Sequence, residues 1–152
     1  MAYTLHCAPD LPVPDREVSG PTTTALGDWH AARLNIGWHR LVICVSTVGH
    51  IPVVTLARAP AKLPERLSAG LQRLLLRLGV DAAMVAGEIA AMDRHSVARG
   101  CAPDMMDMLR EYGWTVRDLL RASDAPVTLD DVAWLTTRTR GLDQRLGALL
   151  GS

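Results

Sequence analysis

Two periods divide the chain. Up to residue 57 the apolar positions recur at every second residue, and beyond residue 63 they recur every three or four. Residues 2–7, Ala-Tyr-Thr-Leu-His-Cys, alternate well enough for a short strand. From Trp29 to Ile36, His30, Ala32, Leu34 and Ile36 fall on one side, and Ala31, Arg33 and Asn35 on the other. That alternation predicts a half-buried strand. A turn at Gly37-Trp38-His39 leads into Arg40–Val48, where both sides are largely apolar, as in a central strand covered on each face. Gly49-His50 turns again, and Ile51–Ala57 gives the third strand of a meander. Pro52 has no N–H to give to a ladder, so this strand belongs at an edge or begins irregularly. Pro9, Pro12, Pro14, Gly20 and Pro21 break residues 8–24 into a surface loop.

The second half is helical by the same reading. Pro64 sits at a helix's first turn, followed by the stripe Leu67, Leu71, Leu74, Leu75 and Leu78, with Arg66, Gln72, Arg73 and Arg77 opposite and Gly79 as the stop. Asp81 caps a shorter helix running to about Ala91. Residues 93–101 read as irregular and polar. Pro103 opens a long helix with Met105, Met108, Leu109, Tyr112, Val116, Leu119 and Leu120 along one side. Thr128 and Asp131 have the spacing of a capping box and open a last helix through Val132, Leu135, Thr139, Leu142, Leu146 and Leu149. That stripe is heptad-like, but Thr136, Thr137, Thr139, Gly141 and Gly147 weaken it, so its end reads as a frayed or partner-dependent tail. Strands first and helices after predict an α+β class. The expectation is a small antiparallel sheet, the N-terminal strand plus a three-stranded meander, with three or four helices packed on one face. The domain spans residues 1–140, and 141–152 form a C-terminal extension.

Composition narrows the class. At 152 residues and 49% apolar, the chain fits one domain able to bury a core. It has no Phe, so the core is aliphatic, with Trp29, Trp38, Trp114 and Trp134 as its large pieces. An indole N–H needs a partner when buried, which places some of the four near the surface. Sixteen basic residues balance sixteen acidic ones, an unpromising total for a nucleic-acid-binding domain unless its arginines gather locally. Three cysteines without a CxxC pair suit a reducing compartment. With neither a secretory pattern at the N-terminus nor an apolar run of bilayer length, the expected location is the cytoplasm.

Chemistry-bearing residues gather in two segments. At Gly27-Asp28-Trp29-His30, an acid and an imidazole stand at the mouth of a strand, where they suit proton transfer or ligand holding. The same residues serve equally as a turn, with Asp28 bonding neighbouring N–H groups and Trp29 filling the sheet edge. At Gly100–Asp104 a helix entry lies near Arg94, His95 and Arg99, an arrangement able to hold an anion or simply to cap a helix. Cys101, just before that helix, would have a lowered pKa from the helix dipole, whereas Cys44 reads as a buried small hydrophobe. The five histidines show no metal-binding spacing, so no metal and no cofactor is expected. The phosphate-binding loop, dinucleotide-fold and nucleophile-elbow motifs are all missing.

Leu26-Gly27-Asp28-Trp29-His30-Ala31 followed by Trp38-His39-Arg40-Leu41-Val42-Ile43-Cys44-Val45-Ser46 resembles a bacterial family of unknown function, DUF6933. Members carry a later Arg-Ser-Val-x-Gly-Ser-Met-Asn-Asp segment, which Arg94, Ser96, Val97, Gly100 and Asp104 resemble with altered spacing. Cys101, Ala102 and Pro103 stand where Ser, Met and Asn would be expected, and Ala32 stands where Asn would be. The resemblance covers about residues 2–140. It implies the fold order and marks two segments, without assigning chemistry.

Three functional expectations follow. The first is a cytoplasmic interaction module without an evident catalytic motif, meeting a protein partner or a second copy through a sheet edge or the C-terminal helix. The second is a small enzyme or anion- or nucleotide-binding protein. It would use Asp28 and His30 as catalytic groups, with Trp29, Arg94, Arg99, Gly100 and Asp104 holding the ligand. The third is a nucleic-acid-binding component of a mobile-element or toxin–antitoxin type system, which requires the arginines at 33, 40, 58, 94 and 99 to share a face.

Overall fold

The computed structural model describes residues 3–12, 22–122, 128–142, 146 and 149–150. Five strands, β1 (Tyr3–Cys7), β2 (Trp29–Ile36), β3 (His39–Ser46), β4 (Pro52–Leu56) and β5 (His95–Arg99), form one sheet in the order β4-β3-β2-β1-β5. The helices are α1 (Leu63–Arg77), α2 (Ala82–Ala91), α3 (Pro103–Ala122) and α4 (Leu129–Thr139), with a 3-10 turn at Pro60–Lys62 before α1. This is an α+β fold on a mixed, mostly antiparallel sheet.

The meander forms as its alternation predicts. β2 and β3 pair antiparallel from Trp29 opposite Ser46 to Ile36 opposite His39, and β4 lies at the edge with Pro52 opposite Val45. A proline at that position leaves no ladder bond unmade on a second side. β3 is buried from Leu41 to Ser46, as a strand covered on both faces must be.

The parallel pairings were not predicted. β1 lies between β2 and β5 and runs parallel to both, with His6 opposite His30 on one side and Ala98 on the other. Residues 95–99, read from sequence as irregular, are therefore an edge strand. Its five residues, His-Ser-Val-Ala-Arg, three of them polar, carry too short an alternation to stand out without the partner strand.

Helices cover both faces, in contrast to the single face expected. Register places Leu34 and Val53 on opposite sides of the sheet. A side chain at Gly113 of α3 would meet Leu34, and one at Gly70 of α1 would meet Val53, so α3 and α1 pack on opposite faces. α4 bridges them, packing on β4, α1 and α3. The α1 stripe works as predicted: Leu67, Leu71, Leu74 and Leu75 are buried, each contributing roughly 1.5–3 kcal/mol by leaving water.

α4 buries Val132 as expected, but the rest of its buried face differs from the predicted stripe. Its buried residues are Val132, Ala133, Thr136 and Thr137 rather than Leu135 and Thr139. Each buried threonine hydroxyl donates to the carbonyl four residues earlier, Thr136 to Val132 and Thr137 to Ala133, both at 2.8 Å. A hydroxyl satisfied within its own helix can be buried cheaply, so its polarity misleads a hydrophobic pattern. The predicted capping box is present, with Thr128 Oγ1 accepting from the Asp131 N–H and Asp131 Oδ2 accepting from the Thr128 N–H, each at 3.1 Å. The helix stops before Gly141, which adopts φ +67°. Leu142 and Leu146 are then buried in the core, and Leu149 lies against Gly49. The expected tail beyond Leu142 otherwise falls outside the described residues.

Gly70 marks the closest approach of α1 to the sheet. A Cβ there would stand 2.8 Å from Val53 Cγ1, on a β-branched side chain that has little freedom to move. Alanine gains about 1 kcal/mol of helix propensity, and overpacking costs about 1–3 kcal/mol. Gly70→Ala should therefore destabilise the protein in urea unfolding by about 1 kcal/mol. The loss should shrink in a Val53→Ala background, where a double-mutant cycle isolates the contact.

Candidate functional site

The parallel insertion of β1 brings the two chemistry-bearing segments together. The 26–31 segment enters β2 on one side of β1, and the 94–104 segment forms β5 and the α3 entry on the other. Asp28 lies just before β2 and reaches across to β1 rather than to its own neighbours. Its Oδ1 accepts from the Thr4 N–H at 2.9 Å and from Thr22 Oγ1 at 2.6 Å, and its Oδ2 lies 3.1 Å from His6 Nε2. Burial alone would raise the Asp28 pKa. The hydrogen bonds from Thr22, Thr4 and His6 outweigh it and hold the carboxyl below its usual value.

An ionised carboxylate can only accept, so His6 Nε2 carries the proton in this pair, and in the neutral ring Nδ1 keeps the lone pair. The His6 ring stacks on His30, with centroids 4.6 Å apart and planes 16° from parallel. His30 is buried, and its Nδ1 has no hydrogen-bond partner among the described residues. Burial, and then the neighbouring His6, push the His30 pKa down to about 4, against the opposing pull of Asp28 and Asp104. Above that pH His30 is a neutral ring stacked on His6.

The backbone holds this cluster from several directions. The Asp28 carbonyl accepts from both the N–H and the hydroxyl of Thr47, each at 2.8 Å. The turn before it is pinned by Glu88 of α2, a buried carboxylate that accepts from the Ala25 and Leu26 N–H groups, both at 2.9 Å. Gly100, at φ +95°, donates to the Cys7 carbonyl at 2.7 Å, which ties the β5–α3 turn to the end of β1.

Sequence-predicted candidates divide accordingly. Asp28, His30 and Asp104 share one neighbourhood, and Gly100 shapes its border. Trp29 is fully buried and faces the side of the sheet opposite His6, so it is core rather than a ligand contact or an edge filler. Arg99 stands opposite Cys7 in the β5 register, on the face away from His6. Arg94 precedes β5, with its carbonyl accepting from the Tyr3 N–H. Neither arginine joins the imidazole cluster. Cys101 is not activated: burial raises its pKa, and its Sγ donates to the His6 carbonyl at 3.3 Å. Cys44 is fully buried, with its pKa raised by burial, as its mid-strand place implied.

His6 and Glu88 were not singled out by the sequence. The one available signal for His6 was its place beside Thr4 on the polar side of β1. Its pairing with Asp28 depends on a parallel register that no local pattern encodes. Among the described residues, no group of three or more His, Cys, Asp or Glu side chains is arranged to hold a metal ion. Among the described residues no helix is long and apolar enough to cross a membrane.

The architecture thus defines a mixed-sheet α+β protein with a carboxylate–imidazole cluster at its parallel strands. The chain belongs to the family described as Domain of unknown function (DUF6933), which it matches over residues 4–140. Searches of curated proteins and of solved structures find no match.

Two outcomes test the cluster. Glu88→Ala leaves two N–H groups without an acceptor and should cost about 2–3 kcal/mol in denaturant unfolding, with Glu88→Gln, which keeps one acceptor oxygen, costing less. His30 has a depressed folded-state pKa, so the unfolded chain binds more protons between pH 6.5 and about 4. Stability should therefore fall as pH is lowered through that window, by at most about 3 kcal/mol. His30→Phe should flatten the wild-type dependence between those limits.

Proposed function

We propose that the chain is a small acid–base enzyme in which His6, oriented by Asp28 and stacked on His30, acts as the general base toward water or a ligand hydroxyl. One observation carries this reading: the ionised Asp28 fixes the His6 tautomer, leaving Nδ1 as the acceptor on a side chain that is 29% exposed. An acid that orients an imidazole in this way prepares it to accept a proton and stabilises the imidazolium that results. His30 stays neutral at physiological pH and offers a hydrogen-bonding ring beside the base without competing for the proton. Asp104 at the α3 entry adds negative charge that favours a cationic or hydroxyl-bearing ligand over a bare anion.

The interaction-module alternative drew in part on the apolar tail stripe. Leu142 and Leu146 of the apolar tail stripe are buried in the chain's own core rather than offered to a partner. The three cysteines are free, which suits a reducing compartment such as the cytoplasm.

The test is hydrolysis of a panel of activated, uncharged carboxylic esters and phosphotriesters by the purified chain. Turnover above buffer should appear for at least one ester. It should drop at least ~100-fold in His6→Gln and comparably in Asp28→Asn, since a general base supplies ~10²–10⁴-fold. Wild-type rates equal to buffer across the panel, or an unchanged rate in a folded His6→Gln variant, would refute it.

A further inference from the structure

Away from the imidazole cluster, the β2–β3 hairpin end carries a second assembly that shares none of its residues. Arg33, Trp38, Arg40, Leu56 and Arg58 line a cleft of about 400 Å³ that contains no carboxylate. Trp38 at the hairpin tip is 99% exposed. Arg66 adds a fourth guanidinium at the rim, donating to the carbonyls of Leu56 and Arg58. Arg33 also borders a second cleft of about 260 Å³ along α3, which contains Arg110, Arg117 and Trp114. Trp114 is 64% exposed. Asp10 is the one carboxylate lining that second cleft, and Asp107 pairs with Arg110 at 3.3 Å. The Arg33 Nε is buried without a hydrogen-bond partner among the described residues. Among the described residues, Arg33, Arg40, Arg58 and Arg117 form no ion pair, while Arg73, Arg77 and Arg140 elsewhere are matched to acids.

In a chain of zero net charge, this gathers guanidinium groups around two clefts that share Arg33, each bordered by an exposed indole. Guanidinium groups pair with phosphates, and an indole offers a flat face to an unstacked base. Acidic peptides would use the arginines but leave the indoles without a role. A duplex hides its base faces and could not reach them. We infer that the paired clefts bind single-stranded nucleic acid, with Arg33, Arg40 and Arg58 on the phosphates and Trp38 stacked on a base. Only three of the arginines named from sequence contribute, because Arg94 and Arg99 belong to the β5 segment at the far side of the sheet.

Fluorescence anisotropy with labelled dT12 and rU12 tests the inference on the full chain. Three further probes are a duplex of the same length, a polyglutamate peptide, and each single strand across a salt series. Expected are saturable binding to at least one single strand, weaker binding to duplex and polyglutamate, and a log–log salt slope of about −2 to −3 for three or four phosphates. Trp38→Ala, at a side chain free of the core, should weaken binding roughly tenfold. Arg40→Ala with Arg58→Ala should weaken it and flatten the slope. Absence of binding, equal binding to polyglutamate, preference for duplex, a salt-independent affinity, or unchanged affinity in Trp38→Ala would each overturn the proposal. Ester turnover by the same preparations keeps this result separate from that of the imidazole site.

Discussion

The insertion of β1 between β2 and β5 is the constraint that organises this protein. A three-stranded meander is local and could form from hairpins alone. Adding a parallel strand on its open side requires the chain to return from residue 7 to residue 29, and then from residue 56 to residue 95. The first return is fixed by the Asp28 carboxylate, which accepts from Thr4 and His6 of β1 and from Thr22 in the loop. The second is fixed at its end by Gly100, which donates to Cys7. One strand of five residues thus draws distant segments into contact, and the only concentrated acid–base chemistry in the described residues lies where they meet.

The electrostatics of that meeting point follow from burial and pairing together. A carboxylate and two imidazoles sit within one neighbourhood, yet they do not behave alike. Asp28 has donors on both oxygens and stays ionised. His30 has a buried nitrogen without a partner and stays neutral. His6 lies between them, bonded to the acid and stacked on the neutral ring, so the environment separates three titratable groups into three roles. At the hairpin end the same balanced composition resolves differently. Asp107, Asp130 and Asp131 pair with arginines of α1 and α3, and among the described residues a group of arginines on β2, β3 and the segment after β4 forms no ion pair beside an exposed indole.

Much of the architecture was readable in advance because it rests on local rules. The alternation of β2, the two-sided apolarity of β3, the edge position forced by Pro52, the leucine stripe of α1, the Asp81 cap and the Thr128–Asp131 capping box all use interactions within a few residues. The errors share a cause. β5 is too short and polar to announce itself, helices on both faces depend on where each crossover passes, and the buried threonines of α4 satisfy their hydroxyls internally. Of the site, Asp28 and His30 could be named, and Asp104 with them. His6 could not, Trp29 was assigned to the edge rather than the core, and Arg99 was placed with residues that lie on the opposite face.

By itself the sequence determined what period, capping and composition control: the class of fold, the meander, most helix boundaries and a set of polar residues with no obligation to the core. Those features are settled by backbone sterics and by side chains close together along the chain. Only the tertiary structure decided which of the polar residues act together, because a parallel register joins residues 22 to 95 positions apart and leaves no periodic trace in either segment. Charge followed the same division. The neutral total was visible in the composition, but its separation into paired and unpaired arginines depended on which surfaces folding set side by side.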